Sequence, residues 1–315
     1  GYATASTDTG HIGSGLDFFL EPEAALDYAF RAVHLVAQLS KEVITTYYDR
    51  KIDYAYYNGC SNGGRQGLIE ATRYPDDFDG IIAGAPLLQM AREYFLWVLT
   101  VHRAQRANPL TEAQLTLLGD ASRNACDLLD GVEDGVINDP RLCTSALFNP
   151  ASLLCKPGQD QDSCVSIGQL ETINQHYDGV LDNDGNALSP GLMPGAEDAG
   201  SWRMYAFKGI PIPSTNEIPE DSINGFSTEM IKYYGYRDPN YNVEDFDIIE
   251  DRHDMERAST ILDVNTADLS SFQKHGGKLL VYQGWNDYPT RPQQAIDYLH
   301  RVNDSNGGAS EVKKF

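Results

Sequence analysis

No run of about 18 apolar residues occurs in this chain, so no segment is long and apolar enough to cross a membrane as a helix. Positive charge is scarce: 24 Lys and Arg stand against 46 Asp and Glu, a formal net charge of -22. Phosphate recognition needs clustered basic side chains, so nucleic acid is excluded as a partner. The same surface would repel polyanions such as pectate, and a neutral or weakly acidic substrate fits it better. Internal repeats and low-complexity tracts are absent. The first residues carry neither Met nor a signal segment, and the chain stops at Lys314-Phe315 as a basic-apolar stretch begins. It reads as a fragment cut at both ends.

What is present is an ordinary globular composition, 41% hydrophobic and 22% charged over 315 residues, enough for a sizeable core. Five cysteines occur. Cys126, Cys143, Cys155 and Cys164 crowd into one stretch as two closely spaced pairs, which in a secreted protein predicts two local disulfides and leaves Cys60 over. The alternative is a zinc site or reduced core thiols, although no histidine sits at zinc-ligand spacing among them.

The first ninety residues alternate in α/β fashion. A strand is expected at about 1–7, a helix near 22–40 with Leu26, Phe30, Val33 and Ala37 on one face, a strand at 54–57, a helix to Tyr74 and a strand at 80–84. Such repetition predicts a parallel sheet covered by helices. The segment 88–265 is rich in Asp, Asn, Pro and Gly and holds the paired cysteines, with helices expected over 88–107 and 111–125. It reads as an inserted lid between a first core portion, 1–87, and a second, 266–315. In the second, Lys278–Tyr282 is a continuous apolar strand and 291–302 a helix. Asp182-Asn183-Asp184-Gly185 predicts a hairpin turn rather than a metal site.

Gly59-Cys60-Ser61-Asn62-Gly63 matches the G-x-S-x-G nucleophile elbow in its required setting, a strand before and a helix after. Glycines flank the serine because a strained strand-to-helix turn leaves no room for Cβ atoms. Ser61 is the candidate nucleophile, and the Asn62 backbone N–H a candidate oxyanion donor at a helix N-terminus. A plain Gly-Ser turn is the alternative, and the Asn62 side chain could simply cap the helix. Asp287 lies just past the C-terminal end of an apolar strand, where open α/β sheets place catalytic groups; an Asp in a turn before Pro289 is the bland reading. The order Ser then Asp is that of α/β-hydrolases, in which His follows. Only His300 follows Asp287, on a helix surface, so the general base is expected beyond Phe315. Asp127-Leu128-Leu129-Asp130-Gly131-Val132-Glu133-Asp134-Gly135-Val136 offers closely spaced carboxylates, either for a hard cation or as a solvated acidic loop. A disulfide across the flanking Cys126 and Cys143 would stiffen it.

Residues Gly59–Gly67, then Arg73-Tyr74-Pro75-Asp76-Asp77-Phe78-Asp79-Gly80-Ile81-Ile82-Ala83-Gly84-Ala85-Pro86, closely resemble the tannase and feruloyl esterase family. Ser6–His11 and Gly276–Asp287 resemble it too, so the likeness spans nearly the whole chain. It departs at Asn62, where Thr is commoner, and at Tyr288, where Pro is commoner. The resemblance implies a secreted or periplasmic α/β-hydrolase whose nucleophile is Ser61 and whose acid is Asp287. It implies hydrolysis of aromatic esters, galloyl or feruloyl, which in plants are borne on tannin or cell-wall polysaccharide. It further implies a structural Ca2+ in the lid, held by the side chains of Asp127, Asp130 and Asp134 and the carbonyls of Val132 and Val136. Cys60 would pair with a cysteine that follows the catalytic His, and the second oxyanion donor would lie upstream of Gly1. Aromatic lid residues such as Trp202, Tyr205 and Phe207 are expected to line a pocket for the phenolic ring. The competing class is a calcium-stabilised secreted protein that binds polyphenol or carbohydrate without turnover; an adhesive module fits poorly with an intact elbow.

Overall fold

A computed structural model describes residues 2–13, 15–199, 202 and 225–315. Three parallel strands, β1 (Tyr56–Cys60), β2 (Gly80–Gly84) and β5 (Lys278–Tyr282), form the central sheet in the order β1-β2-β5. Their register aligns Cys60 with Gly84 and Gly84 with Tyr282, so all three strands end level with one another. The helix Asn62–Arg73 connects β1 to β2 and packs its Leu68, Ile69 and Ala71 against Ile81 and Ala83 of β2. Phe272, Tyr298 and Val302 complete this core from the second portion of the chain. A short antiparallel pair, β3 (Val180–Leu181) and β4 (Ala187–Ser189), is joined by the turn at Asp182–Gly185, with Gly185 at φ 82° as such a turn requires. The hairpin reading of that acidic stretch holds.

Two helices that lie between β2 and β5 in the chain begin on capping boxes. Thr111 Oγ1 accepts the Gln114 amide ahead of the helix Glu112–Cys126, and Ser166 Oγ accepts that of Gln169 ahead of Ile167–Asp178. The two N3 glutamines then meet, Gln114 Nε2 donating to Gln169 Oε1 at 2.9 Å, which fastens one helix start to the other. A second and larger core runs through these helices. It joins Phe19 and Tyr28 to Trp97, Leu115, Trp202 and Phe246, and reaches Tyr288 just beyond β5. Among the described residues no helix is long and apolar enough to cross a membrane.

One expected element is absent. Among the described residues, 2–7 pair with no strand; all but Thr7 are exposed, and Tyr2 meets the ring edge of Tyr56. Period-two composition makes a strand only where a free edge accepts its backbone, and here none is engaged. The helix expected at 22–40 runs on as Ala32–Tyr48 after a wider turn at Asp27–Arg31, and ends on Asp49 in the left-handed region, φ 47°.

Candidate active site

The turn after β1 is built by close approach. A Cβ at Gly59 would stand 2.6 Å from the Gly63 backbone, and one at Gly64 would stand 2.3 Å from the Gly84 carbonyl and 2.9 Å from Pro86 Cα. Only with bare backbone at these points can the helix start against the exit of β2. Ser61 itself takes φ 60° and ψ -119°, a conformation that L side chains rarely adopt, and it remains solvent-exposed. Its N–H donates to the Gly84 carbonyl at 2.9 Å, while its own carbonyl accepts from Arg65 and Leu87. The strain at Ser61 is thus opposed by three backbone bonds. Ala85 on the neighbouring strand exit is also left-handed, φ 38°, with its N–H on the Tyr282 carbonyl at 2.8 Å.

The helix Asn62–Arg73 has its first internal bond from Arg65, so the amides of residues 62–64 belong to the turn that has no intrahelical acceptors. That places the Asn62 N–H beside Ser61 at the positive end of the helix dipole. The Asn62 side chain does not cap: its Oδ1 accepts from Arg65 Nε at 2.8 Å. Arg65 is fully buried and donates further to the carbonyls of Tyr28, Ala29 and Leu262, which ties the elbow to two distant segments. Burial lowers its pKa from the usual arginine range, with the nearby Tyr28 and Asp263 acting the other way. Asp263 in turn accepts from the amides of Ala91 and Arg92, pinning the chain that leaves β2. Neither Arg65 nor Asp263 is marked by local sequence, because the carbonyls that Arg65 reaches and the Ala91 and Arg92 amides that Asp263 accepts are remote in the chain.

Asp287 stands on the turn that follows β5, half-buried, two strands across from Ser61 or roughly 10 Å by sheet spacing. Its Oδ1 accepts from the Thr290 amide at 3.0 Å. Ser61, Asn62 and Asp287 therefore share the C-terminal edge of the sheet, where ligands of open α/β sheets bind. His300 is exposed on the helix Pro292–Ser305.

The cysteines pair as the spacing predicts, Cys126 with Cys143 and Cys155 with Cys164, and Cys60 is a free, exposed thiol beside Ser61. Within the acidic loop, Asp127 accepts the amides of Asp134 and Gly135, Asp130 that of Val132, and Asp134 that of Val136. Gly131 and Gly135 turn it in the left-handed region, and Val132 and Val136 are exposed. The aromatic pocket needs correction. Trp202 is 1% exposed and stacks on His176 inside the large core, because an indole finds more apolar contact there than at a surface; Tyr205 and Phe207 lie outside the described residues.

A third titratable group lies at the other end of the elbow helix. His34, Glu70 and Asp77 bring their polar atoms within 4.8 Å of one another. His34 Nδ1 meets Asp77 Oδ2 at 2.5 Å, Lys41 Nζ donates to the Asp77 carbonyl, and the His34 ring stacks on Tyr74. Burial, reinforced by the Asp77 carboxylate, raises Glu70 to about 9, so it carries a proton at neutral pH.

A family model described as "Tannase and feruloyl esterase" matches residues 1–315. The Aspergillus terreus protein named probable feruloyl esterase B-2 is 32% identical over 314 residues, covering 98% of this chain and 56% of its own. Two crystal structures from Aspergillus oryzae share the fold. One, an esterase, has a TM-score of 0.84 at 29% identity, covering 96% of this chain and 58% of its own; feruloyl esterase B has 0.83 at 28%, covering 97% and 59%. The chain spans little more than half the length of the relatives it matches. With the elbow, the level strand ends and these likenesses together, the chain belongs to the tannase and feruloyl esterase family and has an α/β-hydrolase-type fold.

Proposed function

We propose that the protein bearing this chain is a serine carboxylesterase that hydrolyses esters of phenolic acids, feruloyl or galloyl esters among them, through an acyl-enzyme. The observation that carries the reading is an exposed Ser61 held at φ 60° between strand and helix, within a member of this family. Ser61 Oγ attacks the ester carbonyl while its proton passes to an imidazole contributed from outside these residues. The oxyanion that develops meets the Asn62 N–H. Collapse of the adduct expels the alcohol, which takes the proton from the imidazolium. Water then attacks the acyl-enzyme by the same route and releases the acid. Asp287 holds the imidazole tautomer and stabilises its charged form. The acyl group would be carried on tannin or plant cell-wall polysaccharide, and the two disulfides support an extracellular setting.

Ca2+ belongs to the same proposal. The loop donors are hard oxygens, and the amide bonds accepted by Asp127, Asp130 and Asp134 leave lone pairs on each carboxylate for a cation. With the Val132 and Val136 carbonyls they would hold Ca2+, whose charge would offset the crowded carboxylates and stiffen the loop without entering the reaction. In the full-length protein, hydrolysis of methyl ferulate and methyl gallate measures the activity and ranks the acyl groups. Ser61→Ala is expected to lower kcat by at least about 1,000-fold. Turnover that survives the substitution rejects the mechanism.

A further inference from the structure

Asp287 leaves the sheet on β5, yet the turn that carries it is fastened to the inserted segment on both sides of Pro289. Tyr288 is 1% exposed, and its hydroxyl lies 3.2 Å from His176 Nε2, on the inserted helix Ile167–Asp178. The direction of this bond follows from the other ring nitrogen. His176 Nδ1 lies 2.9 Å from the Thr172 carbonyl, which can only accept, so Nδ1 carries the hydrogen. Complete burial pushes the His176 pKa down to about 4 and keeps the ring neutral, leaving Nε2 a bare acceptor. The Tyr288 hydroxyl is therefore the donor. Trp202 stacks on the His176 ring at 4.6 Å, and Trp97 packs against the Tyr288 ring at 4.6 Å.

On the other side, Arg291 is fully buried, lies over the Trp97 ring at 4.6 Å, and donates to Ser189 Oγ of β4 at 2.8 Å. Ahead of the turn, the Arg141 guanidinium sits 5.2 Å from the Trp285 ring. His176, Trp97, Ser189 and Arg141 thus grip residues 285–291 from the inserted segment, while on the sheet side Gln283 Nε2 donates to the Thr290 carbonyl at 2.7 Å and the Asp287 amide to the Gly284 carbonyl at 3.3 Å.

We propose that Tyr288 is a positioning residue for the esterase reaction: by donating its hydroxyl to His176 it fixes the turn that aims Asp287, so that the inserted segment sets the orientation of the triad acid. This rests on the assignment of Ser61 and Asp287 given above. It also supplies a physical account of the departure from the family's commoner proline, which has no hydroxyl to reach His176.

The test uses the full-length protein with methyl ferulate. Tyr288→Phe removes only the hydroxyl and keeps the ring against Trp97. A misaimed acid lowers kcat by about 10- to 100-fold while KM stays within about two-fold, because substrate binding does not use Asp287. The imidazolium also loses support, so the acid limb of kcat/KM moves to lower pH, a shift that simple loss of stability does not produce. His176→Gln keeps an acceptor near the Nε2 position and retains kcat within about three-fold, whereas His176→Leu matches Tyr288→Phe. If Tyr288→Phe does not fold, as judged by its melting curve, the two His176 variants carry the comparison. Wild-type kcat and pH profile in Tyr288→Phe, beside an inactive Ser61→Ala, overturn the positioning role alone. An active Ser61→Ala removes the assignment beneath it and this role with it.

Discussion

Ser61 shows how a single residue's backbone is made to serve its side chain. Its left-handed φ costs on the order of 1–3 kcal/mol, and the bonds to Gly84, Arg65 and Leu87 hold it there. The flanking glycines were legible because the requirement is local: a strand, a tight turn and a helix leave no space for Cβ atoms. Arg65 was not, since the carbonyls of Ala29 and Leu262 that hold its guanidinium lie 36 and 197 residues away in the chain. Glu70 was equally silent, and it yields a prediction at this scale. Its folded-state pKa of about 9 exceeds the ordinary value of 4.5, so the folded protein holds a proton that the unfolded chain releases. The stabilising contribution is full below pH 4.5 and is lost as pH rises through about 9. The slope from this one group is at most about 1.4 kcal/mol per pH unit. Glu70→Gln keeps a hydrogen-bond donor toward Asp77 and should flatten the fall in melting temperature between neutral pH and pH 9. An unchanged slope in thermal melts across that range would count against the protonated Glu70.

Among the elements, the strands Gly80–Gly84 and Lys278–Tyr282 stand where the sequence placed them, the strand expected at 54–57 begins at Tyr56, and the first long helix runs on to Tyr48 rather than ending near residue 40. The expected strand at 1–7 failed because a strand is defined by its neighbour, which composition does not reveal. The aromatic lid pocket failed at Trp202 for a related reason, since an aromatic residue looks alike in sequence whether it lines a cleft or fills a core. The acidic loop is the element whose chemistry is most open to measurement. The disulfide joins residues 17 apart across it and stabilises by about 3 kcal/mol on the chain-entropy account. If Ca2+ sits between the loop's carboxylates, ligand at 100 times its Kd adds about 2.7 kcal/mol. Chelation with EDTA should then lower the melting temperature by several degrees, with recovery on adding Ca2+ but not Mg2+, whose smaller octahedral shell suits the loop less well. Asp127→Ala should abolish the difference between chelated and Ca2+-loaded protein; a chelator-insensitive melt would rule the ion out.

For the whole molecule, the larger core gathers side chains from Leu16 to Tyr288, and Phe30 packs against both cores. Each core draws residues from both ends of the chain, Phe19 and Tyr288 in the larger, Leu68 and Tyr298 in the smaller. The mutual dependence of these segments arises from side chains more than a hundred residues apart, which no local pattern in the sequence reveals.

The sheet itself carries one more consequence. Among the described residues β1 and β5 are its outer strands, and apolar side chains on them are open to water: Tyr56 is 58% exposed, Leu280 57% and Tyr282 51%. A cleft of about 310 Å³ beside β5, lined by Leu279, Val281, Ile296, Leu299 and Phe315, extends that greasy face. Unsatisfied main-chain donors and acceptors next to such side chains are a template for unwanted pairing between molecules. These 315 residues produced alone should elute on size exclusion as species that grow with concentration. Leu280→Lys should return them toward the monomer, and a concentration-independent monomeric peak for the unaltered chain would show that its outer strands are harmless.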